Sequence, residues 1–266
     1  MKCSLIICTY NWPQALTLVL ESVRKQSKFP DEIIVADDGS DESTSNAINL
    51  FAQSIDIPVI HSWQKDIGCR IPHSRNRAIA KSNYDYIIMI DGDTVLHQNF
   101  IEDHISFAKI GKYIQGSRAL LQEEFTNTLF EKNSFRKPSF FSKSVKNKLN
   151  TIHFPFFTWL LSFIKSNNIN RTRGCNFSLY KQDIIKVNGF NEEITSWGRE
   201  DSEFVQRLFN AGIFKQYLKF SAVQYHLFHK ERVFKSQESA IANNDFLENT
   251  IKTKSVWSDF GISRYL

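Results

Sequence analysis

Several features that would place a chain in a common class of protein are missing here. No apolar run approaches the roughly 20 residues that a membrane-spanning helix needs, and the first residues lead into a strand-like run without a signal-peptide pattern. The four cysteines (Cys3, Cys8, Cys69 and Cys175) have no paired spacing, so neither a zinc site nor a disulfide framework is predicted. Free thiols suit a reducing compartment, and we therefore expect a cytoplasmic location.

Glycine-rich nucleotide motifs are also missing. Neither G-x-G-x-x-G nor the P-loop pattern follows the first strand-like run, at residues 4–8. This argues against a nicotinamide dehydrogenase and against a P-loop enzyme. The 266 residues, of which 42% are hydrophobic and 23% charged, are typical of globular protein and suffice for one large α/β domain or two small ones.

Acidic residues are absent between Lys132 and Lys181. Ten of the 33 basic residues lie in this segment, so the rest of the chain carries a net charge of −5 although the whole chain carries +5. An anionic partner is therefore predicted for the basic segment.

The same segment contains an apolar, aromatic run at residues 152–164. Basic residues beside bulky aromatics are typical of an element at an anionic membrane surface, here 132–164, but a helix in the core is an equal alternative. Nucleic acid is not expected as a partner, because basic and aromatic residues do not interleave in this run.

Strand-like runs alternate with helical patterns through the first 110 residues. Buried strands are predicted at 4–8, 32–36, 58–61 and 86–90. The alternation predicts parallel strands joined by right-handed crossovers, with a ligand at the carboxyl ends of the strands. Further strands are predicted at 112–121 and 221–225. The polar tail after Lys230 is expected to be packed down by Trp257 and Phe260.

Polar residues follow these predicted strands. Asp91-Gly92-Asp93 comes directly after the fourth strand, where two carboxylates on a tight turn suit Mg²⁺ or Mn²⁺ carrying a diphosphate. Asp-Gly is also a common turn dipeptide, which leaves an ordinary turn as the alternative. Asp38 can accept a hydrogen bond from the base of a nucleotide, and the ring of Tyr10 can stack on that base. Arg75 and Asn76 can reach the same base or the phosphates.

Residues in the second half add an acceptor site and histidines. Trp197-Gly198 precedes three carboxylates at a predicted helix start, where the helix dipole alone favours acidic residues. The tryptophan in front of them suits a sugar ring. His226 and His229 follow the last predicted strand, and a histidine there can complete a carboxylate metal site.

In order along most of the chain, these pieces resemble glycosyltransferase family 2, the inverting enzymes of the GT-A fold. The Trp-Gly-x-Glu-Asp-x-Glu form is most similar to the subgroup with chondroitin-polymerase-type and galactosyltransferase-like domains. The pieces that carry the resemblance are Thr9-Tyr10-Asn11, Asp37-Asp38-Gly39-Ser40, Arg75-Asn76, Asp91-Gly92-Asp93, Gly174-Cys175-Asn176, Trp197-Gly198-Arg199-Glu200-Asp201 and Tyr225-His226. Cys8 and Trp12 depart from the family, which often has proline and arginine there, but neither removes a chemical group that the mechanism needs.

The resemblance implies a role for many of these residues. Asp201 would be the catalytic base, and Asp93 with His226 would bind Mn²⁺ or Mg²⁺, with His229 as a rival ligand. The residues implied in nucleotide binding are Thr9, Tyr10, Asn11, Asp38, Arg75 and Asp91. Those implied in acceptor binding are Trp197, Gly198 and Glu200.

We therefore expect an α/β protein with a GT-A (Rossmann-like) mixed, mostly parallel sheet flanked by helices and a basic, aromatic-rich insertion. The single domain, 1–266, would divide into a nucleotide-binding half (1–110), the insertion (111–170), an acceptor and catalytic half (171–230) and a tail (231–266).

The expected activity is metal-assisted, inverting transfer of a hexosyl or N-acetylhexosaminyl group from a UDP-sugar to a hydroxyl of a glycan or lipid-linked acceptor, in polysaccharide or lipopolysaccharide biosynthesis. The expected location is the cytoplasm, with peripheral contact at the inner face of the cell membrane. The alternative is a catalytically silent nucleotide- or glycan-binding domain docked on a membrane. A glycosidase would also use two carboxylates, but it needs no carboxylates and histidine around a diphosphate.

Overall fold

The structure, a computed structural model, describes residues 1–161, 169, 172–230 and 237–266. Strands and helices alternate through the first half, as the sequence predicts. The strands are β1 (Cys3–Thr9), β2 (Glu32–Asp37), β3 (Val59–Trp63), β4 (Tyr86–Asp91), β5 (Thr94–Leu96), β6 (Lys112–Gln115), β7 (Ser117–Leu120), β8 (Asn176–Tyr180), β9 (Phe214–Tyr217) and β10 (Val223–His226). The helices are α1 (Pro13–Val23), α2 (Glu42–Ala52), α3 (Ile71–Lys81), α4 (Phe100–Ser106), α5 (Glu123–Glu131), α6 (Pro155–Leu161), α7 (Lys181–Lys186), α8 (Glu200–Asn210) and α9 (Gln237–Thr253).

A seven-stranded central sheet has the order β3-β2-β1-β4-β8-β6-β9. The strands β3, β2, β1 and β4 run parallel, β8 is antiparallel to both β4 and β6, and β9 is parallel to β6. This arrangement confirms the predicted mixed, mostly parallel sheet. Since β1 lies between β2 and β4, the polar residues that follow these three strands emerge at one edge.

Buried apolar residues cover both faces of the central sheet. Successive side chains of a strand point to opposite faces. Leu5 and Ile7 of β1 accordingly join one buried cluster, and Ile6 joins the other. Burial on two faces explains why the strands are continuous apolar runs rather than alternating ones.

A second, three-stranded sheet has the order β5-β10-β7. The strand predicted with its exit at 112–121 corresponds to β6, and the exit forms a second strand, because the chain leaves the central sheet after β6 and enters the small sheet at β7. Gly116 lies at the change, where an added Cβ would stand 2.4 Å from the Asn176 side-chain oxygen. The antiparallel pairing of β10 with β5 sets His226 opposite Thr94, one residue from Asp93.

Helix α6 lies at the surface within the basic, aromatic segment. Phe156 is 60% and Trp159 53% exposed, whereas Thr158 is fully buried. A core helix is therefore the wrong interpretation for the described part of the run. Residues 162–164 of that run, and the basic residues Lys165 and Arg171, lie outside the described residues. Among the described helices, none has the length and apolar character to cross a bilayer.

The C-terminal tail forms a helix that the sequence analysis did not predict, α9. The expectation that Trp257 and Phe260 pack the tail down was wrong, since both are about half exposed. Polar contacts of α9 hold the tail instead, and in one of them Thr250 Oγ1 donates to Glu203 Oε1 over 3.1 Å. The fully buried side chain of Ile262 is a second anchor.

Candidate active site

The candidate site lies at the carboxyl edge of β1, β2 and β4. The strands pair in a register that sets Thr9 beside Asp37 and Cys8 beside Asp91, so the residues after each strand end at the same level. The Asp38 amide bonds to the Thr9 carbonyl (3.1 Å) and the Gly92 amide to the Cys8 carbonyl (2.6 Å). The three strand ends thus form one surface.

Asp38 and Tyr10 lie at one end of this edge. Asp38 accepts hydrogen bonds from Gln64 Nε2 (2.6 Å) and from the Arg70 amide (2.8 Å), and burial raises the pKa of its carboxyl group. The Tyr10 ring is 39% exposed, and its hydroxyl donates to Asp66 Oδ2 over 2.9 Å. A buried carboxylate and an exposed ring are therefore close together, as base recognition would require. The sequence analysis missed Gln64 and Asp66, which carry no motif of their own.

The Asn11 side chain joins two of the strand-end loops. Its Oδ1 accepts from the Asp41 amide (2.8 Å), and its backbone amide donates to Ser40 Oγ (2.9 Å), with the backbone at a φ of 46°. Thr9 is 8% exposed and packs against Gly92. These contacts shape the loop that precedes α1, and direct nucleotide contact by Thr9 and Asn11 stays a prediction.

Asn76 does not face the site. It is fully buried, and its amide nitrogen donates to the Phe190 carbonyl (2.8 Å) and to Glu192 Oε1 (3.0 Å). Its oxygen accepts from the Phe190 amide (2.8 Å). The expectation that Asn76 reaches the base or the phosphates was wrong, because its hydrogen-bonding groups fix α3 to the 190–192 segment.

Arg75, which directly precedes Asn76 on α3, lies at the centre of the site. Its Nη1 lies 2.6 Å from Asp201 Oδ1, and its Nη2 lies 3.5 Å from Asp91 Oδ1. Burial opposes the charge of this guanidinium, but the carboxylates of Asp201 and Asp91 raise the pKa of Arg75 well above its ordinary value. Burial also raises the pKa of Asp91 to about 6, although Arg75 acts against this. Residues far apart in sequence thus form one charged cluster.

Asp201 is positioned by the start of α8 and by a glycine on a separate segment. The Gly174 amide donates to Asp201 Oδ2 over 2.6 Å. A Cβ on residue 174 would stand 2.2 Å from Asp201 Oδ1, so this approach requires glycine. The residue before the helix, Arg199, has a φ of 73°. This left-handed residue turns the chain so that α8 begins with two carboxylates toward the site.

The predicted acceptor residues lie beside Asp201. Trp197 is 40% exposed, and the Gly198 amide donates to Glu200 Oε2 over 2.8 Å. Burial, with a further contribution from Asp201, raises the pKa of Glu200 to about 7. Asn243 of α9 holds this loop by donating to the Gly198 carbonyl over 2.8 Å. The sequence analysis missed Asn243, because no helix was predicted in the tail.

Asp93, His226 and His229 form a group whose ligand atoms all lie within 4.8 Å of one another. The Nε2 atom of His226 lies 3.7 Å from Asp93 Oδ1, and that of His229 lies 3.4 Å from Asp93 Oδ2. The structure therefore brings both histidines to the carboxylate, whereas the sequence analysis treated them as rivals.

Both imidazoles are set up to act as ligands. Burial lowers the pKa of His226, which favours the neutral ring that binds metals. The Nδ1 atom of His229 lies 2.8 Å from the Lys230 carbonyl, an acceptor that fixes the proton on Nδ1 and leaves Nε2 for a cation. A carboxylate with two imidazoles fits a divalent cation. The Trp12 ring packs edge-on against His229, with ring centres 5.8 Å apart.

Arg118 on β7 was not predicted as a site residue. Its Nη1 lies 3.6 Å from Cys175 Sγ, and its strand pairs with β10, which ends at His226. No sequence motif marks Arg118, because it belongs to a short strand that reaches the site only through its pairing with β10.

Comparisons with known proteins show the family and the fold of this chain. The family model described as "Glycosyl transferase family 2" matches residues 4–168, and the one described as "N-terminal domain of galactosyltransferase" matches residues 159–231. A chondroitin synthase from Pasteurella multocida (strain Pm70) is 29% identical over 79% of this chain and 23% of its own length. One from Escherichia coli is 27% identical over 84% of this chain and 34% of its own length. The chain thus spans about a quarter to a third of these relatives.

Solved structures show the same fold. The crystal structure of S. aureus TarS 1–349 in complex with UDP-GlcNAc has a TM-score of 0.64 at 16% identity, and the match covers all of this chain and 69% of that one. At this identity the likeness concerns the fold alone. Because the family model covers more than half of the residues, the chain belongs to glycosyl transferase family 2.

Proposed function

We propose that this chain is an inverting glycosyltransferase that moves a sugar from a UDP-sugar to a hydroxyl group of a glycan or lipid-linked acceptor. One observation carries the proposal. The Arg75 guanidinium joins Asp201 and Asp91 at the same strand edge where Asp93 meets two histidines. This arrangement places a carboxylate that can act as general base next to a cationic side chain and a cation site. Such groups suit the attack of a hydroxyl group and the departure of a nucleoside diphosphate.

Asp38 and Tyr10 support a nucleotide at the far end of the edge. Asp38 would accept from the base, and the exposed Tyr10 ring would stack on it, while Asp91 would reach the ribose. Arg75 lies between Asp91 and Asp201, within reach of the phosphates. TarS, a structural neighbour, has been crystallised with UDP and with UDP-GlcNAc, which supports UDP as the nucleotide of this chain.

Asp93, His226 and His229 would hold the divalent cation. Two imidazole nitrogens suit Mn²⁺ better than Mg²⁺, which prefers oxygen ligands. The bound cation would supply positive charge that offsets the charge developing on the departing diphosphate.

Asp201 would take the proton from the attacking hydroxyl. Each of its oxygens already accepts one hydrogen bond, from Arg75 and from the Gly174 amide. A carboxylate oxygen can accept more than one, so the acceptor hydroxyl can donate to Asp201 while both contacts hold its orientation. Trp197 would pack on the acceptor sugar, with Gly198 and Glu200 fixing its position.

Asp201→Asn is the experiment that tests this role. The amide keeps the shape and the oxygen but removes the base. We expect transfer to fall at least a hundredfold, with affinity for UDP within about twofold of the wild type. The matched control is Asp259→Asn, an exposed carboxylate in the tail. If the Asp201→Asn protein transfers sugar at the wild-type rate, Asp201 is not the base.

The division of the chain follows the same proposal. Residues 1–110 would bind the nucleotide and 171–230 the acceptor, with the insertion at 111–170 and the tail at 231–266 completing one domain. In the structure, β6 and β7 fall within the 111–170 range, so the part of that range outside the sheets begins after Leu120. The acceptor would be a hexose-containing glycan of a polysaccharide or lipopolysaccharide pathway, as the chondroitin synthase relatives suggest.

We also propose that the α6 surface contacts an anionic membrane. Phe156, Phe157 and Trp159 are each about half exposed or more, and Phe141 is 89% exposed. Within residues 132–164 every charged side chain is positive. Apolar rings beside uncompensated positive charge suit the interface of a bilayer that contains anionic lipids. This surface is our basis for proposing that the protein binds peripherally to the cytoplasmic face of the cell membrane.

Co-sedimentation with vesicles tests the membrane contact. Wild-type protein is expected to bind vesicles of phosphatidylcholine with phosphatidylglycerol and to stay unbound with phosphatidylcholine alone. Trp159→Ser is expected to weaken binding severalfold. Leu266→Ser is the matched control, because Leu266 is 63% exposed and follows a turn at Ile262–Arg264 that packs against α3. Equal binding by all three proteins would refute the contact. A protein that binds vesicles and UDP but turns over no donor would instead support the silent binding domain.

A further inference from the structure

We propose that Arg118 binds the distal phosphate of the donor diphosphate, next to the Asp93 cation site. The inference rests on the proposed function, since it assumes that a nucleoside diphosphate enters this site. It adds a second cationic side chain to the one that the sequence analysis identified, Arg75.

The two arginines differ in how the chain balances their charge. Arg75 has Asp201 at 2.6 Å and Asp91 at 3.5 Å. Arg118, among the residues that the structure describes, has no carboxylate at ion-pair distance. Its Nη1 contacts Cys175 Sγ at 3.6 Å, and its Nε is buried without a hydrogen-bond partner in the described part of the chain. A half-buried guanidinium without an anion is costly unless a ligand supplies one.

The Cys175 thiol does not supply that anion. Burial raises the pKa of Cys175 to about 12, so the thiol is neutral at physiological pH. Gln224 stands beside Arg118 in the pairing of β10 with β7 and donates to the same sulfur atom over 3.3 Å. Its Oε1 is also buried without a partner in the described chain. Two neighbouring side chains, Arg118 and Gln224, therefore each have a buried polar atom without a hydrogen-bond partner in the described chain.

The position of Arg118 selects the phosphate rather than the base. Arg118 lies on β7, whose pairing with β10 sets Leu120, two residues further along the same strand, beside His226. Its Nη1 contacts Cys175, the residue after Gly174, whose amide donates to Asp201. Asp38 follows β2, at the base end of the edge. A cation on Asp93 and the Arg118 guanidinium would therefore face the same part of the ligand. In a nucleoside diphosphate that part is the distal phosphate, which carries the charge of the leaving group.

Residues from the basic insertion hold Arg118 in place. The side-chain nitrogens of Asn147 and Asn150 donate to the Arg118 carbonyl over 2.7 and 2.8 Å. The Leu120 amide donates to Asn147 Oδ1 over 2.7 Å, and Leu121 bridges to Val145. The outer edge of β7 is thus paired by the returning chain, and this pairing fixes the strand from which Arg118 projects.

Affinities for UDP and UMP, measured by calorimetry with Mn²⁺ present, test the proposal. The two nucleotides differ only in the distal phosphate. Arg118→Gln is expected to weaken UDP binding about 10- to 100-fold and to leave UMP binding within about twofold. Arg118→Lys keeps the charge and is expected to recover part of the loss. Arg77→Gln, which removes an arginine of α3 that is only half buried, is the charge-matched control and should bind both nucleotides like the wild type.

Three results would overturn the assignment. UDP affinity unchanged by Arg118→Gln would show that the guanidinium does not contact the diphosphate. Equal losses for UDP and UMP would place any effect on the nucleoside or on the fold. Failure of the wild-type protein to bind UDP would refute the proposed function itself, which separates that failure from the failure of this inference. Unchanged UMP binding also demonstrates that the variant is folded.

Discussion

Replacing Glu200 by glutamine is expected to stabilise the folded protein in alkaline solution. Glu200 is 6% exposed at the start of α8, where Oε2 accepts from the Gly198 amide. Glutamine has nearly the same shape and can keep that hydrogen bond through its amide oxygen. The substitution therefore removes a buried charge and leaves the packing in place.

The magnitude follows from the difference between the folded and unfolded pKa values of this carboxyl group. Glu200 ionises near 4.5 in the unfolded chain and at about 7 in the folded one. Between these values the folded state binds more protons, so the free energy of unfolding decreases as the pH rises. The stabilisation is fully present below 4.5 and is lost as the pH passes 7. At about 1.4 kcal/mol per pH unit, the loss is on the order of 3 kcal/mol at pH 8.

Glutamine cannot ionise and avoids this loss. Thermal unfolding at pH 5 and pH 8 measures the effect, and the Glu200→Gln protein is expected to melt several degrees above the wild type at pH 8 and at about the same temperature at pH 5. Glu193→Gln, an exposed site three residues beyond Phe190, is the matched control and should change neither value. An unchanged or lower melting temperature at pH 8 would refute the assignment of a buried, energetically costly carboxylate to this position.

Three further substitutions test the geometry of the site. Gly174→Ala is expected to displace the Asp201 carboxylate, which an added Cβ would meet at 2.2 Å; transfer should fall at least tenfold with UDP affinity retained, and unaffected transfer would contradict the contact. His229→Ala is expected to weaken Mn²⁺ binding about tenfold or more in an isothermal titration, whereas wild-type affinity would exclude it as a ligand. Trp12→Ala should weaken Mn²⁺ binding by a smaller factor, because the Trp12 ring packs against His229 and offers no ligand atom. A loss as large as that of His229→Ala would argue against a purely positioning role for Trp12.

The first half of the fold followed from the sequence because its signals are local. The first four strands are short apolar runs that end in polar turn residues, and each lies within a few residues of its predicted place. The expected meeting of their carboxyl ends follows from parallel pairing alone. Asp38, Arg75 and Asp91 reach one edge for that reason.

Other parts of the site depend on contacts between distant residues. Arg118 pairs with a strand that ends at His226 only because the chain leaves one sheet for another at Gly116, a change that no periodicity reveals. The side chain of Asn76 looked available for a ligand, but the 190–192 segment, over a hundred residues away, uses both of its polar atoms.

The tail was missed for a similar reason. Residues 237–253 carry few apolar side chains, so the sequence offered no clear helical stripe. The helix packs on α8 through a hydrogen bond of Thr250 and on the loop before α8 through one of Asn243. Such a helix is stabilised by the surface it meets rather than by its own pattern.

Release of free UDP from a panel of UDP-sugars is the measurement that tests the central claim most directly. Many transferases slowly hydrolyse their donor, so the acceptor need not be known. With Mn²⁺ we expect the wild-type protein to release UDP from one UDP-sugar or a few. This release should be lost when a chelator is added and in the Asp93→Ala protein, while the Asp259→Asn protein should behave like the wild type. Release that continues unchanged in the chelator and in Asp93→Ala would contradict the cation site, and a wild-type protein that neither binds UDP nor releases it from any donor would contradict the transferase.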